Sequence, residues 1–292
     1  MDFAIGNLLS YFYFKQESGL QYRTTYSIEK TTADVLIFGS SRANHHYKPE
    51  VFEKELNLNY YNVGRDGSSI LYHYAVLNAI LKRYIPKMII LDLNDSEFRQ
   101  SQETYERLSS LLPYYRKHPE IRSIIELRSK YEKYKLYSSI YPYNSVLSTI
   151  IIGNTKRNKE RKGDNLGYIP LNMTWTEEIK INNNEEKYPI DSLKVKMFLG
   201  FVTKCKSANI RLYVVFSPFY VKYIREDYSV KLAKEITKKY NIIFFDYSND
   251  STFITKKSFF ADFGHLNDQG AKFFSKKIIE QIKKTSSIKA TN

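Results

Sequence analysis

The stretch "DVLIFGSSRANHHY", residues 34–47, decides the fold. Four apolar residues, Val35 to Phe38, run directly into Gly39, Ser40, Ser41 and Arg42. An uninterrupted apolar run that ends on glycine is the pattern of a strand buried on both faces, as in a parallel sheet. Beyond it, the paired serines and His45 and His46 mark either a helix start, with Ser41 as its cap, or the edge of a chemical site. A serine hydroxyl is a poor nucleophile without a base, so the stretch alone leaves both readings open.

The rhythm continues on the C-terminal side. A helix is expected from Pro49, with proline in its first turn and Val51, Phe52 and Leu56 on one face. "YYNVG" (60–64) reads as a second strand and "SSILYHYAVLNAILKRY" (68–84) as a long helix capped by Ser68 or Ser69. "KMIILDL" (87–93) is a third buried strand. From about Ser96 to 190 the alternation stops, giving polar helix-like stretches and the Asn-, Lys- and Gly-rich loop "NTKRNKERKGDNLGY". It resumes with a helix over about 191–207, a strand at 210–218, a helix at 228–239, a strand at 242–247 and a last helix from near Asp268. The expected architecture is α/β: a three-layer α/β/α sandwich on a flavodoxin-like parallel five-stranded sheet, order 2-1-3-4-5, with a helical insert between strands three and four. Residues 1–30 form a lead segment, 31–285 the domain with its insert at about 96–190, and 286–292 a tail expected to fray.

Charge narrows the partners. Lysine and arginine (45) exceed aspartate and glutamate (31) by 14, a field that suits acidic partners. No zinc-finger, RRM-like or basic-zipper pattern accompanies it, which argues against nucleic acid. The lone cysteine, Cys205, rules out an internal disulfide and a cysteine-based metal site. His45 and His46 are adjacent and point different ways with no third ligand nearby, so no metal is expected. The lead segment "MDFAIGNLLSYFYF" is apolar and aromatic, lacks a basic region and a cleavage site, and is too short to span a bilayer. It reads as an amphipathic helix or the end of a membrane anchor, giving a route to membrane association.

In an open parallel sheet, functional groups gather at the carboxyl ends of the strands. Four polar clusters fall there: Gly39 to Arg42, "NVGRDGSS" (62–69), "DLND" (92–95) and "ADFGHLNDQG" (261–270). Histidine is the usual base for a serine near neutral pH, and Asp262 stands three residues before His265 as its orienting carboxylate. Attack on an acyl carbon creates an oxyanion, for which the N–H groups of Ser41 and Gly67 and the Asn94 amide are candidate donors. Arg42 and Arg65 are predicted at the same edge, where each can bind an anionic substrate group or pair with Asp66 or Asp92.

In order, these clusters resemble the four blocks of the SGNH (GDSL-type) hydrolase superfamily. "FGSS" is similar to the Gly-Asp-Ser block with Ser41 as nucleophile, and "NVGRDG" to Asn-x-Gly-x-x-Gly with Gly67 as oxyanion donor. "LND" is similar to the block ending in the oxyanion asparagine, here Asn94, and "DFGH" to Asp-x-x-His, here Asp262 and His265. Ser40 stands where the block-one aspartate would be, Asp92-Leu93 replace the usual glycines, and Arg42 follows the nucleophile. This GSSR version looks most like the branch found among bacterial envelope and polysaccharide-modification proteins. The resemblance implies a serine esterase or O-acyltransferase, without metal or organic cofactor, acting on O-acetyl-like groups of a carbohydrate. It implies a cell-envelope or periplasmic setting, with the cytoplasm as alternative. A catalytically inactive fold that binds envelope polysaccharide is the other reading.

Overall fold

Side chains alternate across a strand, so each strand of a two-sided sheet must feed two cores at once. In the computed structural model, which describes residues 1–155, 165–183 and 187–290, this sorting is complete. β1 (Val35–Phe38), β3 (Met88–Asp92) and β5 (Arg211–Phe216) form the middle of the sheet, with β2 (Tyr60–Asn62) and β7 (Ile243–Asp246) at its edges. Leu36, Phe38, Ile89, Leu91, Val214 and Phe216 enter one core. Val35, Ile37, Met88, Ile90, Tyr213 and Val215 enter the other.

The order is β2-β1-β3-β5-β7 and every pairing is parallel, which among these five strands is the 2-1-3-4-5 arrangement. Helices Ile70–Leu81, Ser192–Ser207 and Tyr228–Lys239 cover the first core, and Pro49–Leu56 and Asp268–Ala290 the second. Their starts are set locally. Ser69 accepts from the N–H of Leu71 at 3.4 Å, Asp191 from Leu193 at 3.0 Å, and Asp227 from Ser229 at 3.0 Å, each satisfying an orphan helix-end donor. The last helix continues through Ala290, while residues 291–292 lie outside the described residues.

The described residues between 96 and 155 hold short helical turns, and Leu108, Leu111, Tyr114, Ile121 and Ile125 carry the first core out into this region. Most of the quoted loop "NTKRNKERKGDNLGY", residues 156–164, lies outside the described residues. A second, two-stranded parallel sheet pairs β4 (Lys180–Asn182) with β6 (Val221–Tyr223). The sequence reading missed it because three-residue strands show no periodicity. The lead segment docks on the insert: Thr25 Oγ1 lies 2.6 Å from the Tyr114 hydroxyl, and the buried Tyr13 ring packs edge-on against Tyr114.

Candidate active site

The turn after β1 aims Ser41. Gly39 has φ +144°, a conformation side-chain-bearing residues rarely adopt, and a Cβ there would lie 2.7 Å from the Asp92 carbonyl oxygen. The chain therefore reverses tightly against β3, and Ser41 becomes the first residue of the helix Ser41–His46. Its N–H, at the first helical position, has no intrahelical acceptor.

The partner histidine comes from the other end of the chain. Asp262 Oδ1 accepts from the N–H groups of Gly264 (2.7 Å) and His265 (2.9 Å), folding residues 262–265 into a turn around the carboxylate. Both Asp262 oxygens lie 2.9 Å from His265 Nδ1, and His265 Nε2 lies 2.7 Å from Ser41 Oγ. Partial burial pushes the Asp262 carboxyl up, but the bonds from His265 and from the Gly264 and His265 N–H groups outweigh it and hold the group below its ordinary range. Asp262 is thus an ionised acceptor at neutral pH, fixing the His265 proton on Nδ1 and leaving Nε2 to face the serine.

Two neighbouring histidines brace this arrangement. The N–H of Leu266 donates to His46 Nε2 at 2.9 Å, so the other nitrogen carries the proton, and Nδ1 lies 3.0 Å from Ser217 Oγ. Burial drives His46 well below the usual histidine range, so it remains neutral while linking the 262–266 turn to the end of β5. His45 stands one helical turn after Ser41. Its ring meets the His265 ring edge-on at 5.3 Å, and its Nδ1 is 2.8 Å from the Ile169 carbonyl oxygen. Burial lowers its pKa too. The sequence reading weighed His45 only as a metal ligand; its i, i+4 spacing from Ser41 is the signal that could have placed it beside the serine. Among the described residues no group of three or more His, Cys, Asp or Glu side chains is placed to hold a metal ion.

The oxyanion candidates fare differently. The Gly67 N–H donates to Ser40 Oγ at 2.9 Å, so this donor is already engaged by the residue before Ser41. Gly67 itself has φ +69°, and a Cβ there would collide with the guanidinium of Arg107, which the insert brings to this edge. Nothing in the local sequence pointed to Arg107. Asn94, half-buried at the end of β3, has Oδ1 3.5 Å from Arg42 Nη2, which turns its NH2 away from that cation. Asn62 closes the second block by accepting from Gly64 N–H (2.9 Å) and donating to the Ala43 carbonyl (2.6 Å).

Neither arginine expected to bind substrate is free to do so. Arg42 is 2% exposed, and its guanidinium lies over the adjoining Phe216 and Phe219 rings. It donates to the carbonyls of Ser217 (2.8 Å) and Leu93 and pairs with Asp92 at 3.4 Å. Arg42 and Asp92 are therefore each other's partners in the interior. Arg65 reaches sideways and donates to Leu20 O (3.1 Å) and Thr24 Oγ1 (2.6 Å), tying the lead segment to the second block. Arg42 thus takes the pairing with Asp92 that the sequence left open beside substrate binding, and Arg65 is engaged by the lead segment. Compared with known proteins, the chain matches no family model and no curated protein sequence.

Proposed function

We propose that this protein is a serine-dependent esterase or acyltransferase of SGNH type. The observation that carries the reading is the chain of contacts Asp262–His265–Ser41, at 2.9 and 2.7 Å, on the carboxyl edge of a parallel sheet. In this reading Ser41 Oγ attacks the acyl carbon of an ester while His265 Nε2 takes the hydroxyl proton. The tetrahedral oxyanion draws on the Ser41 N–H, the Asn94 amide and, once released from Ser40, the Gly67 N–H. Collapse breaks the ester C–O bond, and His265 returns the proton to the departing alcohol, leaving an acyl-serine. Water or a sugar hydroxyl then attacks with His265 again as base, regenerating Ser41. An O-acylated carbohydrate of the cell envelope is the substrate class that the four-block resemblance supports.

One observation favours a non-catalytic, glycan-binding alternative: the Gly67 N–H already has an acceptor in Ser40. Labelling with a fluorophosphonate separates the two. The esterase reading expects covalent labelling that is lost in Ser41→Ala and His265→Ala, and slowed by roughly 10²–10⁴-fold in Asp262→Asn, which leaves the histidine proton without its carboxylate. A folded protein that takes no label, and binds glycan equally well as Ser41→Ala, refutes it.

A further inference from the structure

The N-terminal helix Asp2–Phe14 has two apolar faces, and only one is covered. Gly6 and Tyr13 are buried, and Leu9 and Phe12 pack partly against the first core. The opposite stripe, Ala4, Leu8 and Tyr11, is exposed, with Phe3 beside it 69% open to solvent. A helix that only packs on a domain carries polar residues on its outer face. This one has no charged residue from Phe3 to Phe14, and its single acid, Asp2, accepts from Ser138 Oγ (2.6 Å) and the Ser139 N–H (2.7 Å).

The patch continues onto both neighbours. Helix Leu147–Gly153 packs against the first helix and leaves Ile151 and Ile152 exposed, with Asn154 Nδ2 donating to the Phe12 carbonyl at 2.9 Å. On the other flank, Tyr137, adjacent to the serine that holds Asp2, is 74% exposed, and its ring lies 6.5 Å from that of Tyr134, also exposed. Exposed lysines interleave with these tyrosines: Lys130, whose Nζ sits 4.9 Å over the Tyr131 ring, Lys133 and Lys135. The one acid among them, Glu132, is buried and paired with Arg128 and Lys135.

We propose that this face docks on the surface of an anionic lipid bilayer, with the Leu8–Ile151 stripe in the acyl boundary and the tyrosines and lysines at headgroup level. Apolar stripe, interfacial aromatics and flanking lysines together are what such a boundary accommodates. No helix of the described residues is long and apolar enough to cross a membrane, and the docking needs none. A second copy of the chain fits less well, since a two-fold contact brings like lysine rows together. The proposal is independent of the chemistry assigned to Ser41.

Flotation with vesicles of equal parts phosphatidylglycerol and phosphatidylcholine tests it, against vesicles of phosphatidylcholine alone. The full chain is expected to float with the anionic vesicles. Binding should fall by roughly tenfold or more in Leu8→Glu and in Ile151→Glu, which lie on different helices so that one misfolded variant leaves the other informative. The pair Lys130→Glu and Lys133→Glu should lose roughly fivefold or more per lysine. Absence of flotation by the folded protein overturns the proposal, as does binding unchanged in both apolar variants. Self-association without lipid that the same variants abolish assigns the face to a second copy instead.

Discussion

Replacing Arg42 by methionine is the sharpest test of how the site is built. Methionine keeps an apolar stem packed against Phe216 and Phe219, so the loss is chiefly electrostatic. Two buried carbonyls, of Ser217 and Leu93, lose their donor, each costing about 1–3 kcal/mol. Asp92, 2% exposed, keeps the Tyr47 hydroxyl at 2.7 Å and its interactions with Ser217 but loses the cation paired with it. Breaking a buried ion pair from one side costs about 3–5 kcal/mol in all, and at about 2–4 °C per kcal/mol in a chain of this order of size the midpoint should fall by about 10 °C. The pH dependence has a definite sign. Burial already raises the Asp92 carboxyl, opposed first by Arg42 and then by its hydrogen bonds, so the variant raises it further. A carboxyl raised in the folded state holds a proton that the unfolded chain releases, and that stabilisation is lost as pH rises through the folded value. The deficit against the parent should therefore be smallest near pH 5 and widen toward pH 8. Adding Asp92→Asn, which mimics the protonated acid, should recover part of it. Thermal melts of the four proteins of the cycle across that range decide the matter. A flat deficit, or no recovery with Asp92→Asn, would refute the pairing argument.

Other expectations follow from single contacts. Gly67→Ala should cost about 1–2 kcal/mol through its positive φ, and adding Arg107→Ala should not restore it in denaturant titrations, because the exposed guanidinium can move aside while the backbone cannot. Arg65→Ala should leave the melting midpoint within a few degrees yet make cleavage between residues 15 and 25 several-fold faster in limited proteolysis, since it releases Leu20 and Thr24. Ser40→Ala frees the Gly67 N–H, so fluorophosphonate labelling should hold or quicken. Slowing by more than about tenfold would mean that Ser40 itself supports the reacting geometry.

Legibility in the sequence tracked how local the determining physics was. β1, β3 and β5 are apolar runs buried on both faces, and their alternation with helices is enough to yield the parallel order. The clusters holding Ser41, Asp262 and His265 were placed on one edge by topology alone. Arg42 had two readings open in the sequence, a substrate ligand or a partner of Asp92, and the structure shows the pairing. Its inward course follows from the turn at Gly39 and from acceptors on Leu93 and Ser217, 51 and 175 residues away. The engagement of Gly67 by Ser40 is likewise a contact between two loops, invisible to spacing. The lead segment's apolar pattern was plain, but that one face meets Tyr114 and the other meets solvent is a tertiary fact.

The residues flanking Ser41 on its two sides act on different things. Arg42 and Asp92 neutralise one another in the interior and belong to the frame that joins β1, β3 and β5. On the proposed esterase reading, Ser40 acts where charge would develop. An ionised aspartate at that position can only accept hydrogen bonds, so it would hold the Gly67 N–H and offer nothing in exchange. A hydroxyl that accepts from Gly67 retains a proton of its own to donate. The serine therefore does not reduce the number of donors on the second-block loop; it converts one of them from an N–H held by its neighbour to an O–H polarised by that N–H. On this argument the engaged Gly67 is weak evidence for an inert site: in the proposed chemistry a serine at position 40 offers an oxyanion a donor where an aspartate would offer only acceptors.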